Sequence, residues 1–446
     1  MKSVDSKKKF YNSSELNIIY KMSYTGEIEN QTSSFKGWHH HLSRRTKGDK
    51  VIWALVVLLA LISMLVVYSA TGSLAYKNYK GNTEIYLFKQ VAFIVLGIAI
   101  IYFAHRVNYT IYSKIAQFLF ILSIPLLIYT LFFGLNMNEG SRWIRLPIIG
   151  MNMQTSELAK LALFMYLARL ISKKQDVIKD FRKGYLPLIA PVGIICILIA
   201  PANLSTALLL GASCMLLLFI GRARTKHLLL TVGFVFIPVL FLIVAAVISH
   251  GSGSGGEETV SIRKESSSKI TSRVNTWVSR VEHFMYGGKN ADDEDAYQIN
   301  QAKIAIAKGG FLGVGPGNST QRNFLPQAYN DFIYPIIIEE YGLIGGVFIV
   351  FIYLVFLFRS IKIFRRCPFA FGAFLALGLS FTLVIQAVAN MAVSVNLFPV
   401  TGVTLPLVSM GGSSFLFTCL SIGIILSVAR NVEQLEGKKE ETLNTQ

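Results

Sequence analysis

Three carboxylates punctuate an otherwise apolar run, NDFIYPIIIEEYG at residues 330–342. Asp331 stands at its front edge, and Glu339 and Glu340 lie inside it. Ionisable side chains near bilayer depth are costly and mark functional sites by default. At 331, two roles are open. A helix cap or helix dipole accounts for an aspartate at the start of a helix. The same place, at the water boundary, suits a carboxylate that stays ionised yet partly dry, as a general base must. Glu339 lies roughly 12 Å further along at 1.5 Å per residue, beyond the reach of a cap. It and Glu340 call for partners such as Arg142, Lys160 or backbone donors.

Candidate cations come from GSRWIRLPIIGMNMQTSELAK, residues 140–160. Arg142 and Trp143 fall where an aromatic belt would lie. Glu157 and Lys160, three residues apart, share one helix face. They read either as a mutual ion pair pinning a helix bundle, or as part of an anion site. In the second case Arg142 and Lys160 offer donors to a charged headgroup and Glu157 holds the lysine. A last segment, NLFPVTGVTLPLVSMGGSSF at 396–415, interrupts apolar sequence with two prolines and three glycines. Irregular backbone at membrane depth survives where it is buried in protein or lines a cavity. The segment is therefore expected to re-enter the bundle, with Ser409, Ser413 and Ser414 adding hydroxyl groups to a pocket wall. In the short turn PANLST, Asn203 and Thr206 can cap the following helix.

The elements that position these residues are apolar helices. The chain has 446 residues, 53% hydrophobic, with a mean hydropathy of +0.51, unlike a soluble globular protein. Runs long enough to span a bilayer recur. The expected fold is an all-α integral membrane protein of about ten transmembrane helices, near 51–70, 86–105, 111–134, 156–172, 185–201, 203–221, 228–249, 333–358, 369–394 and 412–430. The net charge of +18 does not indicate nucleic acid. Its basic residues cluster in alternate connections, around Lys173–Lys183, Arg222–Lys226 and Arg359–Arg366. The positive-inside rule then puts both termini in the cytoplasm. Segments 71–85, 135–155, 250–332 and 395–411 fall outside. This gives a tail over 1–50, a membrane domain over 51–430 and a cytoplasmic tail over 431–446. The first 50 residues lack a signal-peptide core, so the first span is expected to be an uncleaved anchor. That tail reads as disordered, its His39–His41 as solvated, with Met22 a second candidate start. Cys196, Cys214, Cys367 and Cys419 have neither zinc nor disulfide spacing and read as small buried groups.

The large extracytoplasmic loop, 250–332, lies between the seventh and eighth spans. Its start, GSGSGGEE, reads as linker. Ile270, Val274, Trp277, Val278, Val281 and Phe284 form a helical stripe, with Lys269, Arg273 and Arg280 largely off it. Such a helix rests on headgroups or packs against the bundle. A second helical pattern, YQINQAKIAIAKGG, closes on Gly309 and Gly310. The glycine-rich GFLGVGPGNS lacks the Gly-Lys-Ser/Thr ending of a nucleotide loop. It reads as a tight turn bringing backbone close to a ligand or another helix. The acidic run 292–295 reads as a solvated insertion.

Together these stretches resemble the SEDS family, the FtsW and RodA polymerases of bacterial cell-wall synthesis. The resemblance covers residues 50 to 432. It rests on GSRWI (140–144), QTSELAK (154–160), NLSTA (203–207), YQINQ (297–301), NDFIY (330–334), EEYG (339–342) and GVTLPLVSMGGSS (402–414), in the family's order. The GVTLPL wording is more similar to the division branch, since elongation members commonly carry proline where Thr404 stands. The family often has proline at Thr155, aspartate at Asn203, glycine at Ser205 and tyrosine at Met410. The change at Asn203 removes a charge from that turn.

The resemblance implies a glycosyltransferase that polymerises lipid II into glycan strands, with Asp331 as the catalytic base. It implies substrate-binding roles for Arg142, Trp143, Glu157, Lys160, Gln298, Glu339, Glu340, Ser409 and Ser413. No residue is assigned as a metal ligand, although a divalent cation, Mg or Mn, would suit the diphosphate. The expected partners are a class B penicillin-binding protein transpeptidase and other membrane proteins of the division machinery, with no nucleic acid. The expected location is the cytoplasmic (inner) membrane, with the active site facing outward. Two rival classes remain open at this stage. A lipid II flippase would also need buried charges and broken segments. A non-catalytic division scaffold would tolerate loss of Asp331.

Overall fold

The structure is a computed structural model that describes residues 47–72, 83–137, 140–145, 152–252, 269–286, 294–326 and 328–444. The tail features, His39–His41, most of the GSGSGGEE linker and the start of the acidic run lie outside the described residues. In chain order the helices are α1 (Lys50–Ala70), α2 (Glu84–Arg106), α3 (Tyr109–Phe133), α4 (Thr155–Lys173), α5 (Leu186–Ile199), α6 (Leu204–Ile220) and α7 (Thr225–Ser252). Then follow α8 (Lys269–Tyr286), α9 (Glu294–Gly309), α10 (Ile333–Arg366), α11 (Ala370–Ser394) and α12 (Ser413–Asn444). A helix occupies each of the ten expected spans, and α8 and α9 lie in the large loop. By length and composition, seven helices among the described residues could cross a membrane. The apolar helix Leu204–Ile220 is shorter. α4 is interrupted by the charges of Glu157, Lys160, Arg169 and Lys173.

Three boundaries depart from expectation. α10 runs to Arg366 rather than 358, and α12 continues to Asn444 rather than ending at 430. The connection 135–154 is not purely irregular. It holds a three-stranded antiparallel sheet, β1 (Leu135–Met137), β2 (Gly140–Arg145) and β3 (Asn152–Gln154), in the order β1-β2-β3. Strands this short give little periodicity to read.

The centre of the bundle is α11, whose residues are mostly buried. It packs against α4, α6, α10 and α12. At one end, Asp49 caps α1 by accepting from the N–H groups of Val51 and Ile52. Its Oδ2 also receives Arg359 of α10 at 2.6 Å. In the PANLST turn, the Asn203 side chain accepts from Thr206 N–H at 3.1 Å, the cap expected there.

α10 is broken at Gly342, where φ is +71° and ψ −175°. The glycine-rich segment after α9 fills the gap. Val314 and Gly315 N–H donate to the carbonyls of Glu339 and Glu340, while Leu343 and Ile344 N–H donate to the carbonyls of Gly310 and Phe311. Backbone from another segment thus replaces the bonds the broken helix loses. The approach needs glycine. A Cβ on Gly342 would meet the Phe311 carbonyl oxygen at 2.1 Å, and one on Gly313 the Glu340 oxygen at 2.2 Å. α8 lies along α7. Its Trp277, Val278 and Val281 are half-buried, and Phe284 and Met285 are exposed.

Candidate active site

Asp331 is not in the first turn of α10. The helix begins at Ile333, and its cap, Phe332, makes no side-chain capping bond. Asp331 lies in the preceding turn, one residue ahead of that cap. What fixes this turn is a clamp on its backbone. Three consecutive carbonyls accept hydrogen bonds from elsewhere: Tyr329 from Met410 N–H at 3.0 Å, Asn330 from the Ser409 hydroxyl at 2.6 Å, and Asp331 from the Asn390 side-chain amide at 2.8 Å. The same Asn390 amide donates to Val403 O at 2.7 Å, and Ser409 accepts from Leu405 N–H at 2.9 Å. Ser409 therefore positions the Asp331 turn.

The clamp is held by the 400–411 segment, which enters the bundle as its prolines and glycines suggested. Val403, Leu405, Leu407 and Val408 are buried. Its carbonyls are anchored from two sides: Ser63 of α1 donates to Val408 O at 2.7 Å, and Tyr353 of α10 donates to Pro406 O at 2.5 Å. Leu407 adopts φ +63°, a left-handed conformation that a branched apolar residue keeps only where its surroundings impose it.

Lys160 sits one turn along α11 from this clamp. Its Nζ pairs with Glu157 Oε1 at 2.7 Å and donates to Gln386 Oε1 at 3.3 Å. Gln386 in turn donates to Thr404 O at 3.0 Å. Gln386 and Asn390 are four residues apart, on one face of α11 and about 6 Å apart along its axis. Through them, α11 ties Lys160 and the Asp331 turn to neighbouring carbonyls of one buried loop. Both lay unremarked within FTLVIQAVANMAVS. Two polar side chains at helical spacing in an apolar span were the signal that could have found them.

The other candidates are placed as follows. Trp143, half-buried in β2, is paired with Leu135 and Gln154. Arg142 belongs to the same strand, and its side chain lies outside the described residues. The Ser413 hydroxyl accepts from Gln154 N–H at 3.1 Å, joining the start of α12 to β3; Ser414 is buried beside it. Gln298 is buried in α9. Glu339, wholly buried, accepts from the Ser319 hydroxyl and from Thr320 N–H at 3.0 Å, with Lys308 at 3.6 Å. Glu340, also buried, accepts from Ser69 of α1. Arg322 reaches the same serine oxygen at 3.0 Å. These two carboxylates fasten the glycine-rich loop and α1 to α10. Among the described residues, no group of three or more His, Cys, Asp and Glu could hold a metal ion.

The Asp331 carboxylate also leaves an electrostatic mark. Burial pushes the Tyr329 phenol above its usual pKa, and the charges of Tyr86 and Asp331 add to the rise. A small cavity lined by Thr130, Thr155, Ser156 and Asn203 opens elsewhere and includes neither Asp331 nor Lys160. The site is thus a carboxylate on a firmly held turn, linked through Asn390 and Gln386, one turn apart on α11, to the buried Lys160 and its partner Glu157.

A family model described as "Cell cycle protein", FTSW_RODA_SPOVE, matches residues 49–434. The chain belongs to the FtsW/RodA/SpoVE family. A probable peptidoglycan glycosyltransferase FtsW of Geobacter sp. (strain M18) is 33% identical over 392 residues, covering 86% of this chain and 98% of that protein. Stage V sporulation protein E of Bacillus subtilis (strain 168) is 31% identical over 393 residues, covering 87% and 98%. Two solved structures share the FtsW/RodA/SpoVE fold. A chain from a peptidoglycan synthase complex superposes with a TM-score of 0.64 at 24% identity, covering 87% of this chain and 99% of that one. The rod shape determining protein RodA of Thermus thermophilus gives 0.57 at 21%, covering 86% and 97%.

Proposed function

We propose that this multi-pass membrane protein is a peptidoglycan glycosyltransferase that polymerises lipid II during cell division. The acceptor's sugar 4-hydroxyl attacks the anomeric carbon of a lipid-diphosphate-linked glycan. The new glycosidic bond forms as the anomeric carbon–phosphate oxygen bond breaks, and lipid diphosphate leaves. An α-linked donor and a β-linked product make this a single inverting displacement. Asp331 takes the hydroxyl proton. A diphosphate leaves without an acid partner of the kind glycosidases use, so the remaining need is positive charge near the departing oxygens. Lys160 and Arg142 supply it.

The observation that carries this reading is the clamp on three consecutive carbonyls at 329–331. It fixes a carboxylate-bearing turn with the precision a base requires. The relatives named FtsW support the activity and the division role. The synthase-complex neighbour supports a crosslinking partner, a class B penicillin-binding protein, alongside other division membrane proteins. The basic connections support a cytoplasmic-membrane location with Asp331 on the outer side. A divalent cation would add charge at the diphosphate, and no step here depends on one.

The test is glycan-chain formation from labelled lipid II by purified protein with its cognate transpeptidase. Wild type and Asp331→Asn are compared at equal melting temperature. Polymer from the wild type alone is expected. Full activity in the variant would sink the base assignment. Absence of polymer in both, with lipid II crossing vesicle bilayers, would move the protein to the transport class.

A further inference from the structure

Two contacts set the thickness of the apolar slab. At one end, Asp49 of α1 meets Arg359 of α10; at the other, Ser69 of α1 meets Glu340 of α10. Along α1 these contacts are about 30 Å apart at 1.5 Å per residue, the thickness of a hydrocarbon core. From Arg359 to the break at Gly342, α10 climbs about 26 Å. The break at Gly342, next to the Ser69–Glu340 contact, lies at the edge of that slab. The Ile333–Tyr341 turns pack back beside the spanning half: a Cβ on Gly346 would lie 2.8 Å from the Ile338 side chain and 3.2 Å from the Tyr334 hydroxyl.

At that level, among the described residues, two adjacent large apolar side chains stand well exposed. Phe311 and Leu312, at the tip of the glycine-rich turn, are 76% and 80% exposed. Backbone bonds from Leu343 and Ile344 lock the tip to the bilayer end of the spanning half of α10. The exposed face of that half, Leu343, Ile344, Val347 and Phe351, continues below it. Beside the tip, α9 presents exposed Lys303, Ile304 and Lys308. Apolar tips flanked by lysines suit the headgroup–acyl boundary. Helix α8 has the amphipathic pattern but rests on α7, whereas this tip stands exposed at the end of the spanning half of α10.

We propose that Phe311 and Leu312 insert into the leaflet on the Asp331 side of the membrane. There they anchor the loop that carries α9 at the level of the Gly342 break. The partner is the lipid surface itself: acyl chains under Phe311 and Leu312, and headgroup phosphates at Lys303. This inference rests on the membrane-spanning architecture and not on the proposed reaction.

The test needs no activity. Cys196, Cys214, Cys367 and Cys419 are replaced by alanine. Nitroxides are then placed singly at Leu312→Cys, Ile344→Cys and Asn318→Cys in bilayers of phosphatidylethanolamine and phosphatidylglycerol. Accessibility is read with oxygen and a water-soluble nickel chelate. The expected result is oxygen-dominated relaxation at 312, as at 344, and nickel-dominated relaxation at 318. Nickel-dominated relaxation at 312 would overturn the proposal, and so would inaccessibility to both reagents, which would mean protein covers the site. A Leu312→Trp variant in the native-cysteine chain gives an independent reading. Brominated lipid should quench its added emission relative to wild type, and an unquenched signal would equally overturn the idea.

Discussion

α10 and the turn before it carry acidic residues at two places that use them in opposite ways. At 329–331 the backbone is what is held: three carbonyls accept bonds from Met410, Ser409 and Asn390. At 339–340 the carboxylates do the holding, taking the hydroxyls of Ser319 and Ser69 and the backbone N–H of Thr320. The resemblance gave Asp331 the proton transfer and Glu339 and Glu340 a place at the substrate. The hydrogen bonds separate them. A carboxylate whose turn is fixed through its backbone can present its side chain to a reacting group. A carboxylate that is itself the fastening point serves the fold.

The sharpest way to break this comparison is to neutralise each region in turn. Asp331→Asn should lower the polymerisation rate on the order of 10²–10⁴-fold, the usual contribution of general-base catalysis, with an unchanged melting temperature. Gly342→Ala attacks the other region through its geometry. A methyl group there would meet the Phe311 carbonyl in a backbone conformation of φ +71°, so the melt should fall by several degrees. Strain of that kind alone costs about 1–3 kcal/mol, and the clash adds to it. Glu339→Gln should cost about 2 kcal/mol through weakened charge-assisted bonds, read by thermal melt. Rate per folded molecule should change little. A Glu339→Gln variant that melts like wild type yet fails to polymerise would reverse the roles assigned to the two regions.

How far the sequence foretold this depends on what each residue's neighbours announce. The apolar runs declared their helices because burial in lipid demands long unbroken segments. The glycines of 309–317 declared a close backbone approach, and the re-entrant segment declared itself through its prolines. Asp331 was visible as a charge at a span's edge. Its clamp was not, because hydrogen bonds from Asn390 and Ser409 join residues 59 and 79 positions away, and no local pattern encodes such pairings. The side chains that Glu339 and Glu340 meet were hidden for the same reason. Their partners, Ser319 and Ser69, lie in a turn and at a helix end where serine is unremarkable. Lys160 was expected either to pair with Glu157 or to serve an anion, and the structure shows the pair while leaving the lysine beside the clamp.

The clamp itself can be loosened without touching Asp331. Asn390→Leu removes the donor shared by the carbonyls of Asp331 and Val403. Burying two unsatisfied acceptors costs about 1–3 kcal/mol each, partly recovered by the apolar replacement. As a positioning residue, Asn390 should affect kcat more than KM, because the substrate's lipid and diphosphate contacts persist while the base shifts. Equal losses in both would point to a collapse of the buried loop instead.

The smallest effect should come from Asn203, which caps α6 beside the small cavity and away from Asp331. Asn203→Ala removes the bond to Thr206 N–H and should cost about 1 kcal/mol, whereas Asn203→Asp keeps an accepting oxygen and should cost almost nothing. Polymerisation should be indifferent to both. If Asn203→Asp instead raised activity with no change in melt, a charge at that turn would have a role in the reaction. The functional region would then extend from the clamp across α4 to the end of α5.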